Sequence, residues 1–452
     1  MDLVQPANEP SSAAQPQPTA AAERITAIDS LRGFALLGIL LMNIVAMGMY
    51  GAAYDNPTVT GGSTGPNLGV WAVLHVLAEG KMRCLFSLVF GASIILLTSR
   101  LEKRGNSADI YYRRNLWLVL FGVVHAYLLW LGDILYPYAL CALALYPFRN
   151  MPGKKLITIG SVFIVLMAGA YVGKGFGDRE MFEKGRAAIA ADKAGQKLTD
   201  EQRDAKDEFE KWRKFNQPTA EELAKDKKEW QGNPISVIKA RAKVVSHFHG
   251  VPYYFPLNWD IWSMMLIGMG LFKLGVLSGE RSTSTYWKMI LFGYGVGLPV
   301  NSVTAWINIQ HNFDPVIQSF AESTYDLGRL TVALGHLGVI MLLCKTGTAR
   351  WLTDALGSIG QMAFSNYILT SIITAVIFTG YGFKLYGELE RHQLYYVVAG
   401  VWVVNIIFSK IWLKNYRFGP LEWAWRSLTY WKKQPMRLRQ PEIEQATAAV
   451  TA

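Results

Sequence analysis

His125 and Asp133 stand eight residues apart in GVVHAYLLWLGDIL, an otherwise apolar run. On a straight helix that spacing is about two turns, which puts both on a similar face but too far apart to bond directly. A neutral imidazole can take a proton from an attacking hydroxyl or amine, or carry an acyl group itself. A lone His in an apolar helix also serves as a satisfied packing residue. Ionisable groups at membrane depth, however, are costly and mark function. Asn43 lies at comparable depth in the first apolar run, where an amide must face protein or water. His125, Asp133 and Asn43 are therefore expected to line one outer cavity.

A second set of residues suits an anionic group. Asp29 and Arg32 are three apart at a helix start, either as an interfacial ion pair or as an anchor for a phosphate-bearing ligand. Arg83 belongs to a charged break with Glu79 and Lys81 that can equally end an amphipathic helix. Glu422 and Arg426 form an i,i+4 pair in FGPLEWAWRSLTYWKK, where three Trp mark an interface. His247 and His249 have metal-like spacing, but no carboxylate or thiol lies near them in sequence, so an interfacial role is expected and no metal. His336 and Asn366 read as packing groups within spans. Cys84, Cys141 and Cys344 all fall in apolar runs and read as small buried hydrophobes. There is no nucleotide-binding glycine loop, zinc motif or hydrolase Ser elbow.

Positioning these groups is the work of apolar helices. Of the 452 residues 51% are apolar and only 17% charged, with 15 Trp and 41 Gly. Repeated uncharged runs of about 20 residues fit a polytopic membrane protein. The net charge of +11 sits largely in short loops and the tail, as the positive-inside rule requires, which argues against nucleic acid. The expected fold is all-α, a polytopic integral membrane protein of about ten transmembrane helices with both termini cytoplasmic. Residues 1–22 read as a disordered lead-in and 23–172 as a first transmembrane half. Residues 173–250 are a charged helical extracytoplasmic insertion. A second half follows over 251–413, with an interfacial helix at 414–433 and a disordered tail at 434–452. Each half holds about five spans, and a short helix over 69–79 lies at the outer boundary.

The stretches RITAIDSLRGFALLGILLMNI, KMRCLFSLVFGASI, YYRRNLWLVLFGVVHAYLLWLGDILYPYAL, GQMAFSNYILTS and RFGPLEWAWRSLTY resemble the YeiB-like bacterial membrane proteins, domain of unknown function 418. The likeness runs from Arg24 to Tyr430. More distantly, the opening stretch is similar to that of transmembrane acyltransferases, among them the heparan glucosaminide N-acetyltransferases and polysaccharide O-acyltransferases. That resemblance implies transfer of an acyl group from cytoplasmic acyl-CoA or acetyl-CoA to an envelope acceptor, at the bacterial inner membrane. The O-acyltransferases carry a catalytic His eleven residues after the Arg of this motif, where this chain has Asn43. The heparan-type relatives place theirs eleven residues further on, where this chain has Tyr54. With neither position filled, His125 is the replacement candidate, with Asp133 orienting it and Asn43 holding the acyl carbonyl. Arg32 and the basic inner surface would hold the CoA phosphates, with Asp29, Arg83, Glu422 and Arg426 completing the expected cofactor-binding set. Expected partners are the lipid bilayer, an envelope glycan or small-molecule acceptor, and a second copy in a homodimer, without nucleic acid. The competing reading is a transporter or channel using the same buried polar groups as a pathway, which broken helices or internal repeats would favour.

Overall fold

The computed structural model describes residues 25–438 apart from 61, 104, 106, 107 and 250, with backbone only for 251–257. Arg24, the expected lead-in 1–22 and residues 439–452 of the expected tail lie outside the described residues. Residues 434–438 do not fit a disordered tail, because they fold back on 415–417. Arg417 N–H donates to Met436 O and Leu438 N–H to Asn415 O. Among the described residues everything regular is helical.

The first helix, α1 (Thr26–Gly48), is followed by α2 (Gly65–Leu77). Next come α3 (Lys81–Glu102), α4 (Ala108–Leu128) and α5 (Leu135–Leu145). The 41-residue α6 (Gly153–Lys193) continues well past the expected span 155–172 into the insertion. There it packs on α7 (Asp200–Asn216), which is followed by α8 (Ala220–Trp230) and α9 (Pro234–Phe248). The second half holds α10 (Val251–Lys273), α11 (Thr283–Gln310), a short α12 (Pro315–Ala321) and α13 (Tyr325–Thr346). It ends with α14 (Arg350–Gln361), α15 (Ala363–Phe378), α16 (Leu394–Leu413) and α17 (Pro420–Tyr430).

By length and composition, six helices among the described residues suffice to cross a membrane, or seven if the bent pair α14–α15 is one span. The expected count of ten exceeds this. One reason is plain: α5, with 11 residues, is too short to span a bilayer alone. The expected span 355–379 is instead two helices meeting at 84° beside Met362.

Neighbouring helices touch through glycine. A Cβ on Gly360 would collide with the carbonyl of Asp29, and one on Gly33 with that of Leu356, so α1 and α14 pack backbone to backbone. Around this contact Ile28, Leu31 and Ala35 join Leu85, Leu88, Met264 and Leu337 in one core. Basic side chains fasten one end of the bundle: Arg149 donates to Glu102 at 2.7 Å, Lys273 to Met151 O, and Lys345 to Gly279 O. The opposite end is capped by the insertion. There Arg241, 1% exposed, donates to Leu128 O at the end of α4, and Gly380 N–H donates to Trp230 O. The insertion has a small core of its own, Phe182 with Phe209 and Trp212.

Candidate active site

His125 and Asp133 do bond directly, contrary to the straight-helix expectation. The helix stops at Leu128, and the turn that follows brings Asp133 back beside the ring. His125 Nδ1 and Asp133 Oδ1 are 2.7 Å apart, and each side chain is 1% exposed. Asp133 Oδ2 accepts from Tyr136 N–H at 2.7 Å, which fixes the carboxylate. With Nδ1–H donating to the carboxylate, Nε2 is left to accept, and Ser371 Oγ lies 2.9 Å from it. Acid, imidazole and hydroxyl are thus in line, with the base–orienter and base–nucleophile spacing that activates a serine. Ser371 was not foreseen, because a Ser in the apolar run SNYILTSIITAV gives no local signal. Asn43 does not join the group. It is half-buried on α1 and makes no hydrogen bond among the described residues.

A cavity of about 240 Å³ opens below this group and runs to the basic end. Its mouth carries four guanidinium groups, Arg32, Arg100, Arg114 and Arg426, together with Asp29 and Glu422. Its deep end is apolar, closed by Phe86, Ile134, Leu135, Tyr138 and Tyr367. Tyr367 separates cavity and triad: its ring centroid is 4.8 Å from that of His125, and its hydroxyl accepts from Ile134 N–H.

Four of the five expected anion-site residues therefore come together. Arg32 donates to Asp29 Oδ1 at 2.7 Å, Gly360 O and Ser93 Oγ, so it is held at the break before α15. Arg114 stacks 3.8 Å over the Trp425 ring, and Arg426 lies over Phe418. Glu422 lines the cavity, but its carboxylate accepts from Phe364 N–H, Ser365 N–H and the Ser365 hydroxyl, capping α15. It positions the wall, and burial pushes its carboxyl up. Arg83 is the exception. It stands at the far end of α3 and pairs with Asp260, which also takes Arg329. No signal separated it from Arg32, because its partner lies 177 residues further along the chain.

The remaining candidates fall where packing groups belong. His336 bonds Tyr294 Oη and Leu77 O, and Asn366 donates to Ile359 O and Ser409 Oγ. His249 stacks on Tyr136 with a 4.7 Å centroid separation. Cys84 and Cys141 are buried and all three cysteines are free. A second cavity, also about 240 Å³, opens toward the capped end, lined by Asp55, His75, Glu79, Asn308 and Glu322 among others.

Residues 271–432 match the family described as Protein of unknown function (DUF418). The chain is 29% identical over 412 residues to Uncharacterized protein YeiB of Escherichia coli (strain K12), covering 90% of this chain and 96% of that one. It is 26% identical over 440 residues to Uncharacterized protein YxaH of Bacillus subtilis (strain 168), covering 93% and 98%. A third relative, Uncharacterized 39.9 kDa protein in amylase 3'region of Bacillus acidopullulyticus, is 27% identical over 428 residues.

Proposed function

This chain is a YeiB-like protein with the DUF418 region, and from that premise we propose that it is a membrane acyltransferase drawing on cytoplasmic acyl-CoA. The observation that carries the reading is the graded cavity: four guanidinium groups at its mouth, an apolar interior, and Tyr367 between its end and a Ser371–His125–Asp133 array. Guanidinium groups suit phosphates, which they bind through paired hydrogen bonds. An acyl chain with its thioester suits the apolar end. In this reading the membrane is the bacterial inner membrane and the basic end faces the cytoplasm, following the positive-inside rule.

The donor supplies an activated acyl group. Ser371 Oγ attacks the thioester carbonyl as His125 Nε2 takes its proton. The C–S bond then breaks, and that proton goes to the leaving thiolate. An acceptor hydroxyl or amine from the capped side next takes the acyl group from Ser371, with His125 as base again and the serine hydroxyl restored. Asp133 keeps the ring in the tautomer this needs. Tyr367 must swing aside to admit the thioester.

The test is acyl-CoA binding and CoA release by the purified protein in lipid nanodiscs. Arg32→Ala should lose saturable binding, whereas Ser371→Ala and His125→Gln should keep binding and lose CoA release. No binding of any acyl-CoA would end the proposal. The second reading, solute transport, is favoured by one observation, the 84° break whose flanking residues Gly360, Gln361 and Ala363 line the cavity. Against it, Glu422 already occupies the N-terminus of α15, the positive helix end that such a break would offer an anion.

A further inference from the structure

We infer that the cavity at the capped end is a binding site for a small organic cation of the alkylammonium class. This goes beyond the acyl-transfer reading and does not depend on it. Three carboxylates, Asp55, Glu79 and Glu322, line that cavity. Glu79 accepts from Tyr325 Oη at 2.9 Å, and Glu322 pairs with Lys174 at 3.3 Å. Asp55, exposed on the cavity wall, takes part in no hydrogen bond or ion pair among the described residues and so is open to a ligand. Three cations stand against these acids and Asp178, which shares Lys174 with Glu322: Arg391, whose guanidinium donates to Ala53 O, Lys174 itself, and Lys81 near Glu79. One negative charge is left over.

A second and independent observation is Asn308. It is 3% exposed, lines the cavity, and its side-chain oxygen has no hydrogen-bond partner. A buried acceptor without a donor costs about 1–3 kcal/mol, so a ligand that donates or carries positive charge is the natural complement. The walls supply the rest. Trp71 and Tyr54 present aromatic surface of the kind that attracts ammonium groups, worth about 0.5–2 kcal/mol for each good contact.

Size and spacing decide between classes of cation. Among the described residues no three His, Cys, Asp or Glu side chains are close enough to share a metal ion. The carboxylates are spread around a space of about 240 Å³, a little below the roughly 300–1,000 Å³ of drug-sized pockets. A polyatomic cation fills such a space and reaches several acids, where a bare ion would reach one.

Choline is the probe, because its charge is independent of pH, and 3,3-dimethyl-1-butanol is its neutral carbon analogue. The full chain in nanodiscs would be titrated with each by calorimetry, choline chloride replacing sodium chloride at constant ionic strength. Saturable choline binding, with the alcohol at least tenfold weaker, is expected. Asp55→Asn should weaken choline at least tenfold, and Asn308→Ala should weaken it severalfold through a different element. Equal binding of choline and the alcohol would overturn the inference, since the cavity would then be only apolar. No binding of choline by the wild-type chain would overturn it as well. Loss of acyl-CoA binding in the Arg32 variant with choline binding intact would keep the two sites distinct.

Discussion

Ser371, beyond the end of one cavity, and Asp55, lining the other, show how one side chain fixes what can be measured. Ser371 Oγ lies 2.9 Å from Nε2 of a ring that is 1% exposed, and 3.2 Å from Tyr367 O, to which it can also donate. Removing it leaves Nε2 unsatisfied, so Ser371→Ala should lower stability by about 1–3 kcal/mol as well as abolish CoA release. Ser371→Thr keeps the hydroxyl, and recovery of stability without recovery of CoA release would separate packing from chemistry. Asp55 carries the pH dependence. Asp55 is exposed to the cavity, yet the atoms packed around it, with Glu79 and Glu322 nearby, push its carboxyl up to about 7, against the pull of Arg391 and Lys174. His75 and Tyr54 also face this space. A cation binds the ionised form, so choline affinity should rise as pH increases from 6 to 8 and level off above about 7. The slope below that point should approach tenfold per pH unit and vanish in Asp55→Asn. An unchanged slope in that variant would overturn the assignment to Asp55.

The helices were legible where apolar runs ended in charges or glycine, and less so where tertiary contacts set the geometry. Expected spans 326–345 and 393–413 became Tyr325–Thr346 and Leu394–Leu413, because their hydropathy pattern already marks both ends. Periodicity does not show that α6 continues into a solvated helix without a break, nor that α14 and α15 meet at 84°. The break depends on Glu422, far along the chain, reaching the free N–H groups of Phe364 and Ser365. His125 and Asp133 were found by type, but their contact depended on where α4 stops. The cavity at the capped end draws on loops and helices from Met42 to Tyr395 and left no local mark. Close helix contact gives a direct test. Gly360→Ala and Gly33→Ala each place a methyl against a carbonyl of the other helix. Each should cost about 1–3 kcal/mol, read as a fall in thermal midpoint in nanodiscs. Gly169→Ala, where the added carbon meets nothing within 4 Å, should not. Arg241→Ala should instead expose α9 to proteolysis, since it removes the donor to Leu128 O that ties the insertion to α4.

Taken as a whole, the molecule is polarised, and that polarity decides which pool each cavity can reach. The arginine-lined mouth shares its end of the bundle with the Arg149–Glu102 pair and the lysines tied to Met151 and Gly279. The insertion closes the other end with acidic and basic side chains already paired among themselves, such as Arg213 with Glu210 and Glu222. Short basic loops are held inside by their charge, while a long segment is translocated largely regardless of it. Under the proposed function both rules would put the arginine cavity on the cytoplasmic side, where acyl-CoA is found, and the cation cavity outside. Single-cysteine labelling in intact cells tests this. Cys84 and Cys141 are buried, so replacing Cys344 alone clears the background. Lys211→Cys on the exposed face of α7 should react with a membrane-impermeant maleimide, and Lys103→Cys should react only after permeabilisation. The reverse pattern would turn the arginine mouth toward the envelope. It would leave the proposed transferase without its donor while keeping the cation site intact, now facing the cytoplasm.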